Sequence, residues 1–218
     1  MKREDPKKAE ELVAAAAAWR LASLLLERPR PEWHRDVARL SLEVHEQELS
    51  SAAGEAYNAT EEIYHTLFGP GGSASPREVS YCGFEDPGDV MARLTTFYRA
   101  FSFQPRREES IDHIAVEAGF VGYLFLKQAY AQIRDDAESA AVTEGARRRF
   151  VSEHVQRCAR GMIERSGEMP SYLRNVFSWM AEQSSADQNG VGSPGPKTAD
   201  PLRFAGDCGC INQKHDDR

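Results

Sequence analysis

Residues 110–135 read SIDHIAVEAGFVGYLFLKQAYAQIRD, and the run AGFVGYLFL from Ala118 to Leu126 is almost continuously apolar. A helix at a protein surface keeps one polar face. One that is apolar nearly all round belongs at the centre of a bundle. This stretch therefore predicts a central helix from about Ser110 to Asp135, with other helices covering it.

The segments on either side carry matching signals. Upstream, Asp86–Pro87 reads as an N-cap followed by proline at the first helical position. Val90, Leu94, Phe97, Tyr98 and Phe101 then form an apolar stripe, and the polar connection QPRREES leads into the central helix. Downstream, a helix is expected from about Asp136 to Arg165 with Val151, Val155, Cys158 and Met162 facing inward. Pro170 opens another, whose core side holds Tyr172, Val176, Trp179 and Met180. Nearer the N-terminus, Asp5–Pro6 starts a helix with Leu12, Ala16, Trp19, Ser23 and Leu26 on one face. Pro29 and Pro31 separate it from a second carrying Trp33, Val37, Leu40 and Val44. A third runs from about Glu55 to Phe68, its apolar side made of Tyr57, Tyr64, Leu67 and Phe68. The reading is all-α, one bundle of about seven helices. Residues 1–186 form one all-helical domain, and the Gly- and Pro-containing residues 187–218 a flexible C-terminal tail.

Composition narrows the function. The 218 residues carry a net charge of −7, nearly all of it on the helical body. A general nucleic-acid binder needs a basic surface to neutralise phosphates, so that class is excluded. No apolar run approaches the roughly 18 residues of a membrane span. Residues 12–26, LVAAAAAWRLASLLL, imitate a signal-peptide core, but Arg20 interrupts them and the preceding segment mixes acids with bases. Four cysteines in a chain this long do not make a disulfide scaffold. The expected setting is the cytoplasm with reduced thiols.

Four features could carry chemistry. Asp112, His113 and Glu117 lie at the start of the central helix, with His113 and Glu117 one turn apart. They suit a polar anchor in a binding groove or, alternatively, a helical enzyme or nucleotide hydrolase. Residues 69–86, GPGGSASPREVSYCGFED, form a connector long enough to be functional. Its glycines do not match a phosphate-binding loop, because no lysine follows them. Cys208, Cys210 and His215 are suitable metal ligands in kind, but C-x-C-x₄-H is a weak signature. A metal- or redox-sensing tail is the corresponding alternative. Arg147, Arg148, Arg149, Arg157 and Arg160 form either a basic face or a solvated one. No nucleophile–base constellation and no dinucleotide fingerprint is present.

Three segments in order resemble one family. Tyr64–His65–Thr66–Leu67–Phe68–Gly69, followed by Arg77–Glu78–Val79–Ser80–Tyr81, is similar to its Y-x-x-L-F-x-G element and the short tyrosine motif after it. Ile111–Asp112–His113–Ile114–Ala115–Val116–Glu117, continuing through Phe120 to Leu124, resembles its P-D-H helix signature, with Ile111 in place of proline. Phe150–Val151–Ser152–Glu153–His154–Val155 resembles its F-x-x-x-H-L. The family is the TorD/DmsD/NarJ-type maturation chaperones of molybdenum enzymes, and the likeness extends over roughly residues 10–183. It implies a TorD-like all-helical fold and a cytoplasmic chaperone rather than an enzyme. Its partner would be the catalytic subunit of a molybdopterin oxidoreductase, with its N-terminal leader, often of twin-arginine type. The chaperone would hold that subunit until the molybdenum cofactor is inserted. It also allows a homodimer. Members of the family are also linked to guanine nucleotide and molybdenum cofactor binding, but the sequence encodes no recognisable pocket for either, and no resident cofactor or metal is expected. The groove expected to meet the leader is built from Glu78, Ser80, Tyr81, Asp112, His113, Glu117 and Phe120.

Overall fold

A computed structural model describes residues 6–105, 109–165, 167 and 169–189. Among these residues the secondary structure is helical, without strands. The helices are α1 (Pro6–Leu25), α2 (Trp33–Ser41), α3 (Gln47–Glu55), α4 (Glu61–Phe68), α5 (Pro87–Ala100), α6 (Ile114–Ile133), α7 (Ala137–Phe150), α8 (Gln156–Arg165) and α9 (Ser171–Asn189). A π turn, Val151–Val155, joins α7 to α8 without a break, so the two form one rod.

The helix starts follow local chemistry. Asp86 accepts from the Gly88 N–H at 2.6 Å, and Pro87 occupies the first turn, where its missing N–H is not needed. Thr60 caps α4 through Ile63, and Asp136 caps α7 through Ser139. Each such cap contributes about 1 kcal/mol. The central helix stops at Ile133, where Asp135 turns left-handed at φ 55°, a conformation that aspartate tolerates better than most side chains.

Helix α6 is not covered all round, contrary to what its apolar run predicts: one face stays open, with Leu126, Tyr130 and Ile133 exposed and Val116, Gly119 and Tyr123 half-buried. It packs against α1 on one side and α7 on the other, while α9 packs against α3 and α8. Helices α1 and α6 run antiparallel, with Ser23 beside Gly119 and Ala16 beside Gly122. A Cβ on Gly122 would lie 3.2 Å from the Ala16 carbonyl oxygen. The glycine is what lets the two helices approach so closely. Below this seam Phe120, Phe150, Tyr98 and Phe103 form an aromatic cluster, with Phe120–Phe150 centroids 4.7 Å apart. Trp19 and Trp179 tie α1 to α9 at 5.0 Å. Burying aromatic side chains of this size contributes about 1.5–3 kcal/mol each.

Three helix assignments change. The expected third helix, Glu55–Phe68, is a short 3-10 turn followed by α4, because Thr60 caps a new start at Glu61. Tyr57, assigned to its apolar side, lies in that turn and is exposed. An unanticipated helix, α3, precedes it, so the described residues form eight rods where about seven are expected. Its small and polar sequence has no apolar stripe, and it is held by Leu49 and Ala52 at the interface with α9. The central helix begins at Ile114 rather than Ser110, which moves His113 into the cap position. Cys208, Cys210 and His215 lie outside the described residues.

Candidate functional site

The connector between α4 and α5, residues 69–86, is laced to the bundle. Arg77 and His113 form an isolated antiparallel bridge, in which Glu78 N–H donates to the Asp112 carbonyl and Ile114 N–H to the Pro76 carbonyl, both at 2.9 Å. Residues 78–81 then make a 3-10 turn. The Tyr81 ring lies on Gly161 of α8, where a Cβ would come within 2.3 Å of it. The Tyr81 hydroxyl donates to the Ser75 carbonyl at 2.7 Å. Ser80 is exposed and its hydroxyl donates to Ser75.

Side chains lock the same joint. The Arg77 Nε–H donates to both oxygens of the fully buried Asp112, at 3.0 and 3.1 Å. Glu78, also fully buried, meets His154 Nδ1 with both oxygens, at 3.1 and 2.9 Å. Arg157 lies 3.7 Å from Glu78 and donates to Glu85 at 2.7 Å and to Cys82 Sγ at 3.1 Å. Desolvation opposes ionising Glu85, but hydrogen bonds from Arg93 and Arg157 outweigh it and hold that carboxyl below its usual range. Burial pushes the Cys82 thiol up.

His113 does not share a helical face with Glu117; it caps α6. Its Nδ1 accepts from the Ala115 N–H at 3.1 Å, which leaves the proton on Nε2, 3.0 Å from the Tyr64 hydroxyl. Burial lowers its pKa to about 4, so the ring is neutral at pH 7. Asp112 is not a first-turn acid serving helix N–H groups, because Arg77 and Ser110 occupy it. Glu117 is fully buried and neither carboxyl oxygen has a partner among the described residues. Burial, reinforced by Glu78 and Asp112, raises its pKa well above the usual carboxylate range, which favours the neutral acid.

Of the seven residues expected to line a groove, Ser80 and Tyr81 reach the surface. Glu78, Asp112, His113, Glu117 and Phe120 are buried, and they brace the joint from below. An open cleft of about 280 Å³ lies next to them, between α1 and the first turns of α6. Phe103, Ala115, Val116 and Gly119 make its apolar side, while Arg20, Glu27, Arg28, Arg30 and Glu109 supply the charged rim. Arg20 and Arg30 both bind Glu27, at 2.9 and 3.4 Å. Glu109 is 3.8 Å from His113 Nε2, which couples the rim to the cap. The sequence reading missed this cleft, because α1 residues spaced as an ordinary helix face give no sign of a gap above α6.

The arginine run resolves into separate duties. Arg147 is buried over the Phe125 ring at 4.2 Å, Arg148 pairs with Glu144 at 2.6 Å, and Arg149 with Glu153 at 2.8 Å. Among the described residues no group of three or more His, Cys, Asp or Glu side chains is arranged to hold a metal ion, and no helix is long and apolar enough to cross a membrane.

The family model described as "Nitrate reductase delta subunit" matches residues 30–162. No curated protein matches the chain.

Proposed function

Because the chain belongs to the nitrate reductase delta subunit family, a group of chaperones for molybdoenzyme assembly that bind the catalytic subunit, we propose that it holds the N-terminal leader of such a subunit in the cleft between α1 and α6. It does so until the molybdenum cofactor is inserted, in the cytoplasm and without catalysis of its own.

The observation that carries this reading is the cleft beside the His113 cap. An amphipathic leader would lay apolar side chains on Phe103 and Val116, as helices do in other hydrophobic grooves. Its arginines would meet Glu109 and Glu27. Two resident arginines already share Glu27, so a leader guanidinium would enter by exchange. The acidic body adds steering toward a basic segment, which raises on-rate and specificity more than affinity. In this scheme Asp112, His113, Glu117, Glu78 and Phe120 set the height and angle of the cleft floor, and Ser80 and Tyr81 offer the adjoining surface.

Calorimetry with a synthetic leader of the catalytic subunit encoded beside this gene tests it. Micromolar binding is expected, weakened roughly tenfold or more by Glu109→Lys or Val116→Arg. Equal binding by these variants and wild type would move the leader elsewhere. No binding at all would leave a chaperone that grips only the subunit's body.

A further inference from the structure

Phe84 is a fully exposed phenyl ring, and the turn that carries it has little freedom. Gly83 takes φ 64°, and the Glu85 N–H closes the turn on the Cys82 carbonyl at 3.2 Å. On one flank the Cys82 thiol donates to the Glu78 carbonyl and accepts from Arg157. On the other, Arg93 and Arg157 grip the Glu85 carboxylate, and Asp86 caps α5. A loose loop would fold such a ring onto the nearest apolar side chain, regaining about 25 cal/mol for each Å² removed from water. This turn holds it out.

We propose that the Cys82–Asp86 turn is a docking surface separate from the leader cleft, with Phe84 as its anchor. The ring enters an apolar pocket rimmed by lysine or arginine on the folded body of the client. Two features define that partner. A rigid aromatic loses little conformational freedom on binding, which is the usual character of an interface hot spot. Asp86 and Asp89 are exposed beside it and take no basic partner among the described residues, whereas Glu85 is already held by two arginines. Basic side chains of the partner would pair with these carboxylates, and one can stack on the ring. Naming the client's body as the partner rests on the function proposed above.

The test uses the full chain and two probes, the apo catalytic subunit lacking its leader and the synthetic leader alone. Wild type is compared with Phe84→Ser, Phe84→Trp and Asp89→Arg. Thermal melts should be unchanged by Phe84→Ser, since the exposed ring contributes no core packing. Phe84→Ser should weaken binding of the leaderless subunit roughly tenfold or more and leave leader affinity within about twofold. Phe84→Trp should restore binding, and Asp89→Arg should weaken it and flatten its salt dependence. Equal binding of the leaderless subunit by Phe84→Ser and wild type overturns the proposal. So does a Phe84→Ser effect confined to the leader, or one confined to self-association, which would make the partner a second copy. If wild type binds the leader but not the leaderless subunit, this surface is wrong and the leader reading stands. If it binds neither probe, both fall.

Discussion

The Glu78 carboxylate and the His154 imidazole, separated by 76 positions, meet at 2.9 Å with both side chains fully buried. Glu78 stands in the connector's 3-10 turn and His154 in the π turn between α7 and α8. Each lies in irregular helix, where a short departure from the α-helical register re-aims a side chain. Their contact fastens the connector to the far side of the bundle. It holds in place both the surface around Tyr81 and the backbone bridge that sets the start of α6.

Removing Glu78 leaves a buried imidazole without its partner, and removing His154 leaves a buried carboxyl with Arg157, at 3.7 Å, as its remaining charged neighbour. Glu78→Ala or His154→Ala should each lower unfolding free energy by about 3–5 kcal/mol. The double variant Glu78→Leu/His154→Leu should cost less than the sum of the two alanine effects. Urea denaturation midpoints measure this, and additive losses would show that the pair does not act as a unit.

His113 makes stability depend on acid. Its folded pKa of about 4 lies below the unfolded value of 6.5, so the stabilisation is fully present above pH 6.5 and is lost as pH falls from there toward 4. The span corresponds to at most about 3 kcal/mol. His113→Asn keeps an N-cap acceptor without a titrating ring. Its unfolding free energy should fall less steeply than wild type's between pH 6.5 and 4, and parallel slopes would refute the assignment.

Glu117 acts in the opposite direction. Its folded pKa is raised above the model-peptide value of 4.5, so its favourable term is present below pH 4.5 and is lost as pH rises through that value toward the folded pKa. Glu117→Gln removes the titration while keeping the shape. The variant should match wild type near pH 4 and exceed it increasingly toward pH 8. A stability difference independent of pH would mean that Glu117 is paired in solution.

Gly161 is the seat of the Tyr81 ring. Gly161→Ala places a methyl where the ring lies, 2.3 Å from its nearest atom, and should cost about 1–3 kcal/mol through overpacking. Limited proteolysis should then cut within residues 69–86 more readily. Tyr81→Phe removes the hydroxyl's contacts with the Ser75 carbonyl and Met162 Sδ while keeping the ring, and should cost about 1 kcal/mol. An uncut connector in the Gly161→Ala variant would show that the ring can reseat.

The two parts of the molecule differed in how far they could be read in advance. The existence of α6 and the α5 start at Asp86–Pro87 could be read because periodicity and capping are local properties that the chain writes directly, but the all-round apolar run of α6 did not show that the face with Leu126, Tyr130 and Ile133 stays open. Helix α3 was missed because QELSSAAGE has no stripe; it is helical largely because α9 covers Leu49 and Ala52. Asp112, His113 and Glu117 were recognised as a polar group, but not their separate duties. Arg77 takes the first, Tyr64 and the Ala115 amide the second, and no described residue the third.

Sequence by itself determined the fold class, the family and the residue types at the joint, since hydrophobic period, caps and short motifs are read within a few turns of chain. The tertiary structure alone decided which of those residues are covered and which meet partners. Glu78 and His154 are brought together only when the connector folds back across α6. The cleft beside His113 exists only because α1 and α6 close tightly at Gly122 and leave a gap above Val116. Such pairings depend on the whole chain's packing, and burial then decides whether an ionisable side chain serves as a brace or as an exposed contact.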